Sequence, residues 1–228
     1  EDALEILANH SDQLELAHQA HNWLKEQFII GYHGSRLNEE EISSVRKYGL
    51  LPLVPHQRRE RLVSILSMHP DWPEVQHRLD DVIVDFGNGI HGRREGQAHL
   101  TISKEGLLTS FNHYLVEGSE FDQAVAVNLL GKSARKLLAL ERQSVLFRVA
   151  IPGEIALGLS EHWLRENELS GLVRLTLQFW AYWLHDPHFD PSTQHVDFGL
   201  IFKETVPPEW ITKTTMIDES ELLKTYRR

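Results

Sequence analysis

The chain of 228 residues predicts an α+β fold, on three observations. Short apolar runs rich in β-branched and aromatic residues recur at 28–33, 98–103, 145–151, 198–202 and 210–217. Amphipathic stretches with helical spacing lie between some of them, at irregular intervals. The strand–helix–strand alternation of a parallel sheet is missing, and no Walker-type phosphate loop occurs.

In chain order, residues 3–27 carry Leu4, Ile6, Leu7, Leu14, Leu16, Ala17, Ala20, Trp23 and Leu24 near helical spacing, which predicts helix, in two pieces broken at Asn9-His10-Ser11. Phe28-Ile29-Ile30-Gly31-Tyr32-His33 is a buried strand that Gly34-Ser35 ends. Glu39–Lys47 is an amphipathic helix with Ile42 and Val45 inward, acids in its first turn and Gly49 as its C-terminal cap. Leu50-Leu51-Pro52-Leu53 leaves it extended. Residues 55–86 read as two short helices around His69-Pro70-Asp71-Trp72-Pro73, and 87–96 as a loop containing Gly, Arg and His. Ala98–Ser103 and Val145–Ile151 are strands, Gln123–Leu130 and Ala134–Leu140 helical, and Glu161–Leu184 a Trp-bearing helical stretch. Phe198–Phe202 and Trp210–Ile217 close the chain as strands. One domain over 1–228 is expected, with an inserted helical part at 55–90 and a helical segment at 158–190 as partner-docking parts.

Composition narrows the chemistry. With no cysteine, disulfides, zinc thiolates and thiol nucleophiles are excluded. The formal charge of −10 and the small, interrupted clusters Arg58-Arg59-Glu60-Arg61 and Arg93-Arg94 argue against nucleic acid as partner, while leaving room for a basic pocket taking a phosphorylated ligand. No apolar run approaches the roughly 18–20 residues that cross a bilayer, so a soluble protein without a membrane partner is expected. Glu1–His10 lacks the regions of a signal peptide and reads as a trimmed end. Among fourteen His, the set His185, His188 and His195 with Asp186 and Asp190 fits no metal-binding spacing, and Pro187 and Pro191 make it a solvated loop; no metal is expected.

The most informative segment is Tyr32-His33-Gly34-Ser35-Arg36, which presents an imidazole, a hydroxyl and approachable backbone at one lip. Its local alternative is a plain turn with a surface His. The order of that segment, a helix, Gly49-Leu50-Leu51-Pro52 and then Ala98-His99-Leu100-Thr101-Ile102-Ser103 resembles the ADP-ribosyltransferase superfamily, PARP-like branch. The closing blocks Phe198–Phe202 and Val206-Pro207-Pro208-Glu209-Trp210-Ile211 are similar to the RNA 2′-phosphotransferases. The resemblance covers about half of the chain, in separated blocks.

The resemblance implies a split β-sheet core with helical insertions and NAD as substrate. It implies that His33 holds the adenine-side ribose, that the Gly34 backbone meets the nicotinamide amide, and that Ser35 lines the same lip. Arg36 and Ser103 join these cofactor-binding residues, and Tyr114 is the candidate for stacking on nicotinamide. Val196-Asp197-Phe198 stands where PARP-like enzymes place a Glu, so Asp197 replaces that acid or the acid comes from elsewhere. The other source is Glu120, beside Asp122 at the start of a helix near Phe121. Both acids read as helix-end residues, or Gly118-Ser119 turns Glu120 into the cleft. A carboxylate there would stabilise an oxocarbenium-like state and take the acceptor's proton. Glu120 and Asp197 are the catalytic candidates, with Glu204 in reserve.

The activity implied is mono-ADP-ribosyl transfer to a protein acceptor by a monomer. The resemblance extends to bacterial effectors, secreted into host cytoplasm, that modify ubiquitin on threonine. The alternatives are a non-catalytic NAD or ADP-ribose binding module and an RNA 2′-phosphotransferase, the latter disfavoured by the acidic charge.

Overall fold

The computed structural model describes residues 13–87, 95–140, 142–160, 170–220 and 222. At its centre is a five-stranded antiparallel sheet in the order β4-β2-β1-β3-β5, built from β1 (Phe28–Leu37), β2 (Ala98–Thr101), β3 (Gln143–Pro152), β4 (Gly199–Phe202) and β5 (Ile211–Met216). The α+β class holds. β1 runs four residues past His33, because all ten of its residues pair with β3 from Phe28↔Pro152 to Leu37↔Gln143. Gly34-Ser35 therefore lies inside the strand and does not end it. Long-range pairing outweighs the local turn signal of Gly-Ser here.

Helix α1 (Gln13–Lys25) buries Ala17, Ala20 and Leu24. Leu4, Ile6 and Leu7 lie outside the described residues. Helix α2 (Glu39–Tyr48) begins with a reciprocal cap: the Asn38 side chain accepts from Glu41 N at 2.8 Å, and the Glu41 carboxylate accepts from Asn38 N at 2.8 Å. It ends at Gly49, whose φ of 85° and whose approach to Val206 leave no room for a side chain: a Cβ would lie 2.0 Å from the Val206 carbonyl oxygen. Leu50 then exchanges both main-chain bonds with Val206, at 3.1 and 2.9 Å.

The inserted segment forms a 3₁₀ turn (Pro55–Arg58), α3 (Arg59–Leu66), α4 (Trp72–Val75), a second 3₁₀ turn (Gln76–Arg78) and α5 (Leu79–Gly87). Its buried Leu62, Ile65, Leu66, Trp72, Leu79, Val82 and Ile83 make a core of their own with Phe121, Val125, Ala126 and Leu129. The Gly87–Gly92 run has the spacing of a dinucleotide fingerprint but follows a helix, where that fingerprint follows a strand; residues 88–92 lie outside the described residues.

Three short helices were not legible as helices: α6 (Lys104–Thr109), α7 (His113–Val116) and α9 (Gly153–Ser160). At four to eight residues they show too little periodicity. Between them lies α8 (Glu120–Leu130), and Lys132–Ala139 is 3₁₀. Helix α10 (Gly171–His185) packs Leu172, Val173, Leu177 and Ala181 into the main core with α1 and the sheet. Trp163 lies outside the described residues. Trp180 packs partly buried against the core, whereas Trp183 is exposed. Among the described residues no helix is long and apolar enough to cross a membrane.

Candidate functional site

The site starts from a mismatch in the sheet. While β1 pairs with β3 along its whole length, its register with β2 consists of Tyr32↔Thr101. Beyond Tyr32 the two strands part, and the His33 ring bridges them: Nδ1 lies 2.8 Å from the His99 carbonyl oxygen. A carbonyl can only accept, so Nδ1 carries the proton and Nε2 presents a lone pair. Burial pushes the His33 pKa below its ordinary 6.5, against the opposing pull of the His99 carbonyl, which keeps the ring neutral near pH 7.

The register also fixes where the Gly34 backbone points. Ser144 O accepts from Ile217 N at 2.9 Å, so the main-chain groups of Ser144 face the β5 side. Its partner Arg36 must then also turn away from β3, and Arg36 O accepts from Arg61 Nη2 at 3.0 Å. The two-residue period of a strand carries this to Gly34, whose N–H and C=O face the gap left by β2. A Cβ at Gly34 would sit 3.2 Å from Leu107 and Leu115 side chains, so the strand is pressed against α6 and α7 there.

Two adjoining cavities, of about 310 and 680 Å³, open at this gap and share His33, Gly34, His99 and Tyr114. Such volumes suit small-molecule ligands. The smaller cavity brings in Ser35, the Leu50–Val54 run, Arg58 and Glu120. The larger brings in Tyr32, Phe111 and Asp197. The two candidate acids thus reach the same gap from different sides. Glu120 is the first residue of α8, after Gly118 with φ 82° and Ser119, whose hydroxyl caps the helix by accepting from Asp122 N at 3.2 Å. Tyr114 donates to Glu120 Oε1 at 2.9 Å, and His113 Nε2 lies 3.3 Å from the same oxygen. Tyr114 is a cavity wall and also the hydrogen-bond partner of the acid.

Asp122 is a different kind of acid. It is buried and accepts from Arg58 Nε at 3.1 Å, from Arg58 Nη2, and from Arg61 Nε at 3.1 Å. Burial opposes its charge, but the two guanidiniums outweigh that and hold its pKa below the ordinary carboxylate value. Arg61 further pairs with Glu41; burial is the larger influence on it and lowers its pKa, with Asp122 pulling the other way. This network ties α2, the inserted segment and α8 together.

Two of the expected cofactor-binding residues, Arg36 and Ser103, lie outside both cavities. Arg36 is buried, donates to Ala139 O at 3.1 Å and 2.7 Å and to Ser144 Oγ at 3.2 Å, and pairs with Glu219. It sits one strand position past Ser35 with its side chain on the opposite face, which is the alternation of a continuing strand. Ser103 is buried as the N-terminal cap of α6, accepting from Gly106 N at 2.9 Å and donating to Gln194 O at 3.0 Å. Neither lines either cavity. Glu204 is exposed and lines neither cavity. Asp186 and Asp190 serve as turn acceptors for His188 N at 2.9 Å and Ser192 N at 2.8 Å, and no metal-binding group of side chains occurs among the described residues.

The sequence passed over His99, His113 and Arg58 as site residues. His99 stood in a quoted strand and Arg58 in a noted basic cluster, but only the fold brings them to the cavities that His33 lines. Comparison with family models, curated proteins and solved structures finds no match.

Proposed function

We propose that this chain is an NAD-dependent mono-ADP-ribosyltransferase acting on a protein acceptor. The observation that carries the reading is the convergence on one gap of the outward-facing Gly34 backbone, the lone pair on His33 Nε2, and a carboxylate, Glu120, held by Tyr114. The parting of β1 from β2 supports the split-sheet core that the resemblance implies.

In this reading the Gly34 N–H donates to the nicotinamide carboxamide oxygen, and the Gly34 C=O accepts from the carboxamide NH2. His33 Nε2 accepts from a ribose hydroxyl, a role that needs the neutral ring. The C1′–N bond breaks with its electron pair leaving on nicotinamide, and positive charge develops on the ribose. The Glu120 carboxylate stabilises that charge and takes the proton of the attacking acceptor hydroxyl. Tyr114, by donating to one carboxylate oxygen, fixes its direction. Asp197 serves on the larger-cavity side, where an acceptor chain enters. The net charge of −10 favours an acceptor with a basic face, and ubiquitin modified on threonine is the candidate from the resemblance.

The test is incubation with NAD labelled in the adenylate half, together with ubiquitin and a mixed protein pool. Transfer of label to protein is expected, falling at least about a hundredfold in Glu120→Gln, as loss of a group that moves a proton does. Absence of transfer and of nicotinamide release refutes the function; undiminished transfer by Glu120→Gln refutes only the role of Glu120.

A further inference from the structure

The Arg58–Arg61 cluster finds a use in the smaller cavity. Arg58 lines that cavity, while Arg61 is turned inward to Asp122, Glu41 and the Arg36 carbonyl. Asp122 holds the Nε and Nη2 edge of the Arg58 guanidinium, so that side chain is directed without being consumed: its side chain remains 25% exposed against 1% for Asp122. The Asp122 charge is moreover divided between two arginines. The result is an oriented cation on the cavity wall with N–H groups that Asp122 does not take up, the arrangement that suits phosphate oxygens.

Next to it runs the apolar stretch Leu50-Leu51-Pro52-Leu53-Val54, which lines the same cavity and in which Leu51 is 56% and Val54 38% exposed. Exposed aliphatic side chains beside a fixed guanidinium offer a surface for a flat base and a charge for the phosphates attached to it. Gln57 and Gln97 supply amide donors and acceptors on the same wall. Glu120 shares the cavity and repels phosphate, so the phosphates belong with Arg58 and a ribose with Glu120.

We infer that Arg58, presented by the inserted helical segment, forms a diphosphate-binding subsite with the Leu51–Val54 wall, and that its ligand is a nucleoside diphosphate moiety. This rests on the NAD reading for the remainder of the ligand, but not for its test, because ADP has no nicotinamide bond to break.

The experiment is calorimetric titration of the full chain with ADP, inorganic pyrophosphate and adenosine, at low and at high salt. ADP is expected to bind, to be displaced by pyrophosphate, to weaken as salt rises, and to exceed adenosine by at least about tenfold. Arg58→Gln should weaken ADP by about ten- to hundredfold, as loss of a charged hydrogen-bond donor does, and Arg58→Lys should recover part of it. Circular dichroism checks that each variant is folded, and the comparison of ADP with adenosine needs no variant. Equal binding of adenosine and ADP, no binding of ADP, or unchanged ADP binding in folded Arg58→Gln each overturns the subsite. Arg58-dependent ADP binding without NAD cleavage would uphold the subsite and refute the transferase; NAD cleavage with ADP binding indifferent to Arg58 would do the reverse.

Discussion

Replacing Asp122 by Ala tests whether the arginine network holds the inserted helices to the site. The side chain is 1% exposed and receives three hydrogen bonds from two guanidiniums. Removing one partner of a buried ion pair typically costs about 3–5 kcal/mol, because the remaining charge is left without compensation. The lower end applies here. Arg61 keeps Glu41 and the Arg36 carbonyl, and Arg58, already a quarter exposed, can turn to water. A loss of about 3 kcal/mol in a chain of this size lowers the midpoint by about 6–12 °C. Urea and thermal unfolding followed by circular dichroism read it directly. The pH dependence has a fixed sign. With its folded pKa depressed, the stability Asp122 contributes is present above the unfolded carboxylate value, near 3.8, and is lost as pH falls through the folded value. The gap between wild type and Asp122→Asn should therefore narrow on acidification below about pH 4. An Asp122→Ala protein within about 1 kcal/mol of wild type would refute the reasoning, since a worthless buried pair could not hold α8 and Glu120 in place.

Two other outcomes follow from the geometry. Gly153→Ala should destabilise by at least about 3 kcal/mol, because its Cβ would lie 1.7 Å from the Leu24 carbonyl oxygen and backbone must move; a normal unfolding midpoint would contradict that packing. An NMR titration should place His33 below its ordinary 6.5, with the proton on Nδ1 in the neutral form; a value above 6.5 or the opposite tautomer would remove His33 as a ribose acceptor.

Which features were legible follows from how local their causes are. The α2 helix was readable because its signals are local: Ile42 and Val45 at helical spacing, acids in the first turn and Gly49 at its end; the Asn38–Glu41 cap emerged only in the structure. β3 was readable because seven consecutive apolar or β-compatible residues from Val145 to Ile151 leave little else. The length of β1 was not, since Gly34, Ser35 and Arg36 interrupt its apolar run and are held as strand by β3. Ser103 carried the right type for two roles, ligand contact and helix cap, and the presence of Gly106 N at 2.9 Å decides for the cap. Glu120 and Asp122 look alike in sequence, two acids in one helical turn. One is buried between Arg58 and Arg61, and the other reaches a cavity beside Tyr114, because successive positions on a helix turn by about 100° and these two face different neighbours.

By itself the sequence determined the α+β class and the absence of thiol chemistry. Both depend on residue type and local spacing. Only the tertiary structure decided that β1 and β2 part beyond Tyr32, that the Gly34 backbone faces the gap, and that Arg58 from the insertion reaches the same cavity. Those depend on strand register and on charges brought together from 64 positions apart in the chain, which no local pattern encodes.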